Sequence, residues 1–262
     1  MEFRDQLQRK ITISENPKRI ISLVPSQTEL LFDLGLEDNI AGITKFCVYP
    51  EGLRTRKKIV GGTKSVHIEK VKALQPDLIL CNKEENTREM MLELEKIAPV
   101  HVSDIYCLED AFKLMRQYGK IFQKEARVES MIAEVREKKK KLEAKTKGKR
   151  IKKVGYFIWK DPLMVAGKET FINELLELNR FDNVFSGRYP ETTLEELQNL
   201  ELDLILLSSE PYPFKEKHKE IFKDIDAEIE LVDGEFFSWY GSRLIQAMDY
   251  FLNLQDQASV SL

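Results

Sequence analysis

Three histidines, His67, His101 and His218, and three cysteines, Cys47, Cys81 and Cys107, are the side chains with which this chain could ligate a metal or attack a substrate. Their spacing serves neither purpose. The histidines are scattered, none paired with Cys, Asp or Glu at ligand spacing. There is no CxxC, and an odd number of widely separated cysteines argues against a disulfide framework or a zinc knuckle. Cys81 ends an apolar run and reads as a buried thiol. GxSxG, HExxH, the P-loop and GxGxxG are absent, and Gly61-Gly62-Thr63 and Gly167-Lys168 are too short to cradle a phosphate. In a chain that is 32% charged, neighbouring carboxylates say nothing about acid–base work. No catalytic residue, protein-held metal or resident cofactor is assigned, and the expectation is a protein that is not an enzyme.

The chemistry that does stand out is aromatic and polar, in segments that follow expected strands. Ser26 and Gln27 lie in the turn after Arg19–Val24; Phe46 and Tyr49 in Lys45–Pro50; Asn82 and Lys83 after Leu78–Cys81. Further along come Trp159, Arg188 in Ser186–Tyr189, and Phe236, Trp239 and Tyr240 in an aromatic-rich turn. A single loop aromatic more often covers core than binds anything. Several at the C-terminal ends of strands would form a flat, partly apolar wall suited to a large planar ligand. Lys83 and Arg188 add positive charge for an anionic substituent.

The elements that must position these residues alternate. Arg19–Val24 is a buried strand, followed by a helix with Ser26 and Glu29 in capping-box spacing. Ile68–Leu74 is a helix, Asp77–Cys81 a strand, Thr87–Ile97 a helix, Val100–Val102 a strand and Leu108–Phe122 a helix. From Gln123 to Lys147, helix formers with Val128, Met131, Ile132, Val135 and Leu142 at helical spacing predict one helix of about 24 residues, roughly 36 Å long. The Lys138–Lys141 run reads as its solvated face. The rhythm then restarts: strand Val154–Trp159, a turn or hairpin at Val165–Gly167, helix Thr170–Leu178, helix Thr193–Leu200, strand Asp203–Leu207, helix Lys215–Lys223, strand Glu228–Val232 and helix Ser242–Leu254.

The two halves repeat. Ile68–Leu80 (IEKVKALQPDLIL) aligns without gaps on Leu194–Leu206 (LEELQNLELDLIL) at a constant offset of 126 residues, and Gly61 falls on Gly187 at that offset. Glu29-Leu30-Leu31 resembles Glu174-Leu175-Leu176 at a different offset. Helix–turn–strand units can converge on such patterns, but agreement at several elements favours duplication. The expected fold class is α/β: two similar, Rossmann-like lobes with mostly parallel central sheets, joined by one long α-helix. The expected boundaries are 1–122 for the first lobe, 123–147 for the helix and 148–262 for the second lobe. A ligand would then sit in the cleft between lobes, and a single stiff helical connection would limit hinge opening.

Composition narrows the partners. With 41 Lys+Arg against 44 Asp+Glu, the net charge is −3, without the basic excess of a nucleic-acid binder. No apolar run reaches the roughly 18–20 residues of a membrane span. A monomer is expected.

Four stretches are similar to the substrate-binding proteins of ABC importers for cobalamin, ferric siderophores and haem, the class with a single backbone helix. They are Arg19–Leu34 (RIISLVPSQTELLFDL), Gly61–Cys81, Val165–Leu176 (VAGKETFINELL), and Asp203–Leu207 with Trp239–Leu244. The resemblance spans nearly the whole chain. It implies capture of a bulky metal chelate, a cobalamin-type corrinoid first and a ferric siderophore or haem next, whose cobalt or iron belongs to the cargo. It implies that Tyr49 resembles a ligand-contacting tyrosine and Phe236 a ligand-stacking aromatic of cobalamin binders. Glu69 and Glu195 match two lobe-surface glutamates that dock on the arginines of an ABC permease dimer; their other reading is helix-start electrostatics, with Thr192 and Glu195 in capping-box spacing. The family is periplasmic or held at the cell surface. MEFRDQLQRKITISENPKR shows no apolar signal core and no lipid-accepting cysteine. A cytoplasmic place therefore stays open, and with it an enzyme or a redox or sensor subunit on the same scaffold.

Overall fold

A computed structural model describes residues 1–257. The first unit, Met1–Glu134 with Tyr240–Arg243, starts with a hairpin of β1 (Glu2–Arg4) and β2 (Lys10–Thr12). Then follow β3 (Ile20–Ser22), α1 (Pro25–Asp33), β4 (Ile40–Thr44), α2 (Leu53–Arg56), β5 (Lys58–Gly61), α3 (Ile68–Ala73), β6 (Leu78–Asn82), α4 (Arg88–Glu95), β7 (Val100–Ser103) and α5 (Leu108–Phe122). The strands form one parallel sheet in the order β5-β4-β3-β6-β7. Every residue of β3, β6 and the edge strand β7 is buried, as expected of parallel strands covered by helices on both faces. Ile21, Leu23, Val71, Ile79, Leu94 and Val102 belong to its core.

The long helix α6 (Glu125–Thr146) starts in this unit and ends in the second. Gln123, left-handed at φ 56°, separates it from α5. Val128, Met131, Ile132, Val135 and Leu142 are all buried, so the spacing that predicted the helix also identified its covered stripe.

The second unit, Val135–Trp239 with the chain from Leu244 onward, has β8 (Lys152–Trp159), β9 (Met164–Ala166), α7 (Phe171–Leu178), β10 (Phe181–Asn183), α8 (Leu194–Gln198), β11 (Leu204–Ser208), β12 (Glu228–Val232), α9 (Gly234–Ser238) and α10 (Arg243–Gln257). Its sheet runs β10-β8-β11-β12 in parallel, with β9 antiparallel on β8. This order matches β4-β3-β6-β7. The sequence repeat is therefore a repeat of topology, with α1 and α7 feeding β4 and β10, and α3 and α8 feeding β6 and β11.

The repeated aspartate explains itself. Asp77 accepts the backbone N–H groups of Lys18 (2.7 Å) and Arg19 (2.9 Å) ahead of β3. Asp203 accepts that of Lys153 (2.7 Å) in β8. In each unit it ties the start of one central strand to its neighbour. The repeated glycines are left-handed, at φ 147° for Gly61 and 76° for Gly187, a region that favours glycine. A Cβ on Gly61 would also lie 2.6 Å from the Ser65 carbonyl oxygen.

Several expectations are corrected. Ser26 does not cap the first helix: Val24 is the N-cap, without a side-chain bond, and Pro25 occupies the first turn, where its missing N–H costs nothing. The capping box of α8 joins Thr193 to Glu196, not Thr192 to Glu195. Glu216–Phe222 is a 3₁₀ segment rather than an α-helix, tightened by Lys215 N–H donating to His218 Nδ1 at 2.9 Å. The aromatic-rich turn near Phe236 is the helix α9. Tyr240–Arg243, assigned by sequence to the second lobe, belongs with the first unit.

Candidate ligand-binding site

Parallel strands deliver all their following loops to one sheet edge. In the first unit that edge is built in two layers. The lower layer is a polar network. Gln27 donates through Nε2 to Ser103 Oγ (2.7 Å) and Tyr240 Oη (3.0 Å), and its Oε1 accepts from Tyr118 Oη (2.6 Å). Asn82 donates to Ser103 Oγ (3.0 Å), while its Oδ1 accepts the N–H groups of Glu84 (2.8 Å) and Glu85 (3.1 Å). The Cys47 thiol lies 3.1 Å from Thr28 Oγ1 and 3.3 Å from Thr44 Oγ1. Burial pushes the Cys47 and Cys81 thiols up, which keeps both protonated and poor nucleophiles.

Gln27, Asn82 and Tyr240 therefore face inward, contrary to their expected place on a ligand-facing wall. Gln27 has no accessible surface and Tyr240 only 6%. Their hydrogen bonds are made inside the unit, where an unmet polar group would be costly. Ser26 is buried beside them.

The upper layer is exposed and aromatic, and each ring is partnered by a cation. Lys45 Nζ is 5.0 Å from the Phe46 ring centroid, Lys83 Nζ 5.4 Å from that of Tyr106, and Arg243 Cζ 3.9 Å from that of Tyr49. The three rings are 37–48% exposed, well above a core aromatic. Lys83 also bonds Asp104 (2.7 Å) and the Tyr106 hydroxyl (3.1 Å), contacts that raise its pKa. Arg243, only 5% exposed, forms a two-point ion pair with Glu29 at 2.7 and 3.0 Å. Burial pushes the Glu29 carboxyl up from 4.5 to about 7, against the opposing pull of Arg243. Sequence reading missed Glu29, Arg243 and Tyr106. Arg243 in the closing WYGSRL stretch was the available signal, but the ion pair spans positions 29 and 243.

In the second unit the corresponding edge carries Trp159, 41% exposed at the end of β8, donating to the Asp161 carbonyl (3.1 Å) and lying edge-on to Tyr212. Trp239 is buried instead, its indole N–H donating to Glu210 Oε1 (2.9 Å), which also accepts from Ser238 (2.7 Å). Phe236 is half-buried and stacks on Tyr250, centroids 4.8 Å apart. Arg188 is half-buried, with its carbonyl accepting the Gly167 N–H (2.7 Å).

His101 is buried against Gln117 (3.0 Å), and burial lowers its pKa to about 4. Among the described residues no group of three or more His, Cys, Asp and Glu could hold a metal ion. Among them, too, no helix is long and apolar enough to cross a membrane. Glu69 and Glu195 are each the second residue of their helix, α3 and α8, and both are exposed. Glu69 pairs with Lys72 (2.9 Å), while Glu195 takes no part in its helix cap.

The periplasmic binding protein family model matches residues 20–230. An uncharacterized ABC transporter substrate-binding lipoprotein, YvrC of Bacillus subtilis, is 26% identical over 94% of this chain and 82% of its own length. A vitamin B12-binding protein of Pectobacterium carotovorum is 22% identical over 88% of this chain and 86% of its own. The crystal structure of the petrobactin-binding protein YclQ of Bacillus subtilis superposes with a TM-score of 0.82 at 18% identity, covering 98% of this chain and 97% of that one. With four-fifths of its length inside the family model and both α/β units in place, the chain belongs to the periplasmic binding protein family.

Proposed function

We propose that this chain captures a bulky metal chelate, a cobalamin-type corrinoid first and a ferric siderophore or haem next, and delivers it to an ABC importer outside the cytoplasmic membrane. The observation that carries the reading is the set of exposed rings on one sheet edge, Phe46, Tyr49 and Tyr106, each beside a cation. Ring faces favour a flat macrocycle or aryl chelator, and the exposed lysines Lys45 and Lys83 beside them favour the carboxylate, phosphate or phenolate groups at its periphery. The relatives support the same choice, since one is named for vitamin B12 and another for petrobactin. The metal enters as part of the cargo. Exposed Glu69 and Glu195, in the same place on the repeated helices α3 and α8, suit docking on a two-fold permease.

A thermal-shift series with cyanocobalamin, haemin and ferric siderophores tests this reading. A ligand at about one hundred times its Kd stabilises the folded chain by about 2.7 kcal/mol. A rise of several degrees for one class is the expected result. An unchanged melting curve with all of them would remove the proposal.

A further inference from the structure

Arg243 belongs with the first unit, and its guanidinium is gripped by Glu29 of α1 through two oxygens, at 2.7 Å and 3.0 Å. The Tyr49 ring lies over the same guanidinium, 3.9 Å from Cζ to its centroid. The chain thus runs from a buried carboxylate through a buried cation to a ring that is 37% exposed. Tyr49 sits in a loop after β4, and a loop side chain is mobile unless something fixes it. A planar fork held at two points is such a support, because it cannot rotate without breaking one contact.

We propose that Glu29 is a positioning residue for ligand capture: by clamping Arg243 it holds the Tyr49 ring as a fixed aromatic face, and it loses that hold on taking up a proton. The inference rests on the reading of Tyr49 as a ligand contact. A protonated carboxyl has lost the charge that pairs with Nη2, and one of its two oxygens becomes a donor, so the Nε hydrogen bond and the ion pair both weaken against an arginine that stays charged. The charged groups acting on Glu29 are Arg243, which favours its ionised form, and Asp33 on the same helix, which opposes it; Tyr49 faces the guanidinium from the other element packed there. Burial places the carboxyl at about 7, so the clamp changes state across ordinary pH values. A ring already fixed saves the ordering cost of one side chain on binding, which is about threefold to tenfold in affinity.

The test takes the full chain and whichever of cyanocobalamin, haemin or a ferric siderophore raises its melting temperature. Wild-type affinity should rise about threefold to tenfold between about pH 5.5 and about pH 8. Glu29→Gln and Arg243→Lys should keep the weaker affinity throughout, with melting curves showing that both fold. Fluorine NMR of fluorotyrosine at position 49 should titrate in the wild type and stay constant in Glu29→Gln. If Tyr49→Ala weakens binding while the wild type is insensitive to pH, or Glu29→Gln keeps the full pH profile, the positioning role is overturned and the ligand contact stands. If Tyr49→Ala binds like the wild type, or none of the three chelates binds, the reading beneath it is lost and the inference with it.

Discussion

Replacing Glu29 by glutamine should stabilise the protein above neutral pH, although it removes a buried ion pair. Two effects compete. Coulomb attraction to Arg243 favours the ionised carboxylate, and removal from water favours the neutral acid. With the residue 8% exposed, burial is the larger, and the carboxyl moves from 4.5 to about 7. Between those two values the folded chain keeps a proton that the unfolded chain has lost. Glu29 therefore contributes stability that is complete below pH 4.5 and is lost as the pH rises through about 7. The displacement corresponds to about 3 kcal/mol. Glutamine resembles the neutral acid and does not titrate, so E29Q should match the wild type at acidic pH and exceed it by about 3 kcal/mol at about pH 8.

The wild-type profile will not show this directly, because His101 works in the opposite sense. Its pKa is lowered from 6.5 to about 4, so its contribution is present above 6.5 and lost as the pH falls through about 4. That term is also about 3 kcal/mol and covers nearly the same window, so the two largely cancel. The quantity to measure is the difference between E29Q and wild type, from urea unfolding at several pH values. A difference independent of pH would refute the reasoning. So would E29Q being weaker by about 3–5 kcal/mol at alkaline pH, the usual cost of breaking a buried pair.

Phe46→Ala and Trp159→Ala remove rings that are 48% and 41% exposed, so stability should fall by only about 1–2 kcal/mol, less than for a core aromatic. Chelate affinity, measured by calorimetry, should fall about tenfold for each; unchanged affinity would take that ring out of the site. Reversing both Glu69 and Glu195 to lysine should leave chelate affinity intact and abolish stimulation of a reconstituted importer's ATPase, whereas full stimulation would remove the docking role. Asp77→Ala and Asp203→Ala should each cost about 0.5–1.5 kcal/mol, since each loses an exposed hydrogen bond to a backbone amide at the start of a central strand. As they tie different sheets, their unfolding costs should add.

The fold was legible where chemistry is local or periodic. Ile20–Ser22 and Leu204–Ser208 announce buried strands by continuous apolar runs, and the α6 stripe by its spacing. The 126-residue offset found the duplicated framework because Asp77 and Asp203 do the same backbone work. The candidate site was legible only in part. Phe46, Tyr49, Lys83 and Trp159 lie exposed at strand ends, where the aromatic pattern placed them. Gln27, in the first turn of α1, and Asn82, the last residue of β6, lie as near the strand ends but turn inward, because the amide of each has inward partners that only the folded chain supplies. Glu29 and Arg243 went unread because the contact separates their positions by 214 residues.

The duplication also helps to separate framework from function. Where both copies agree, as at Asp77 and Asp203, the shared residue has a structural task that both sheets need. Where corresponding residues differ in environment, the difference asks for another cause. Glu29 on α1 corresponds to Glu174 on α7, the helix in the same place in the second unit, yet Glu29 is buried against an arginine and Glu174 is only half-buried. Folding an α1-type helix therefore does not require a carboxylate sealed against a cation. If burial makes that carboxylate costly above neutral pH, as the balance of its forces indicates, its retention is not a device for stability. What the pair does show in this unit is contact with an exposed ring, Tyr49 over the Arg243 guanidinium, and the proposed positioning role accounts for that contact where core packing does not.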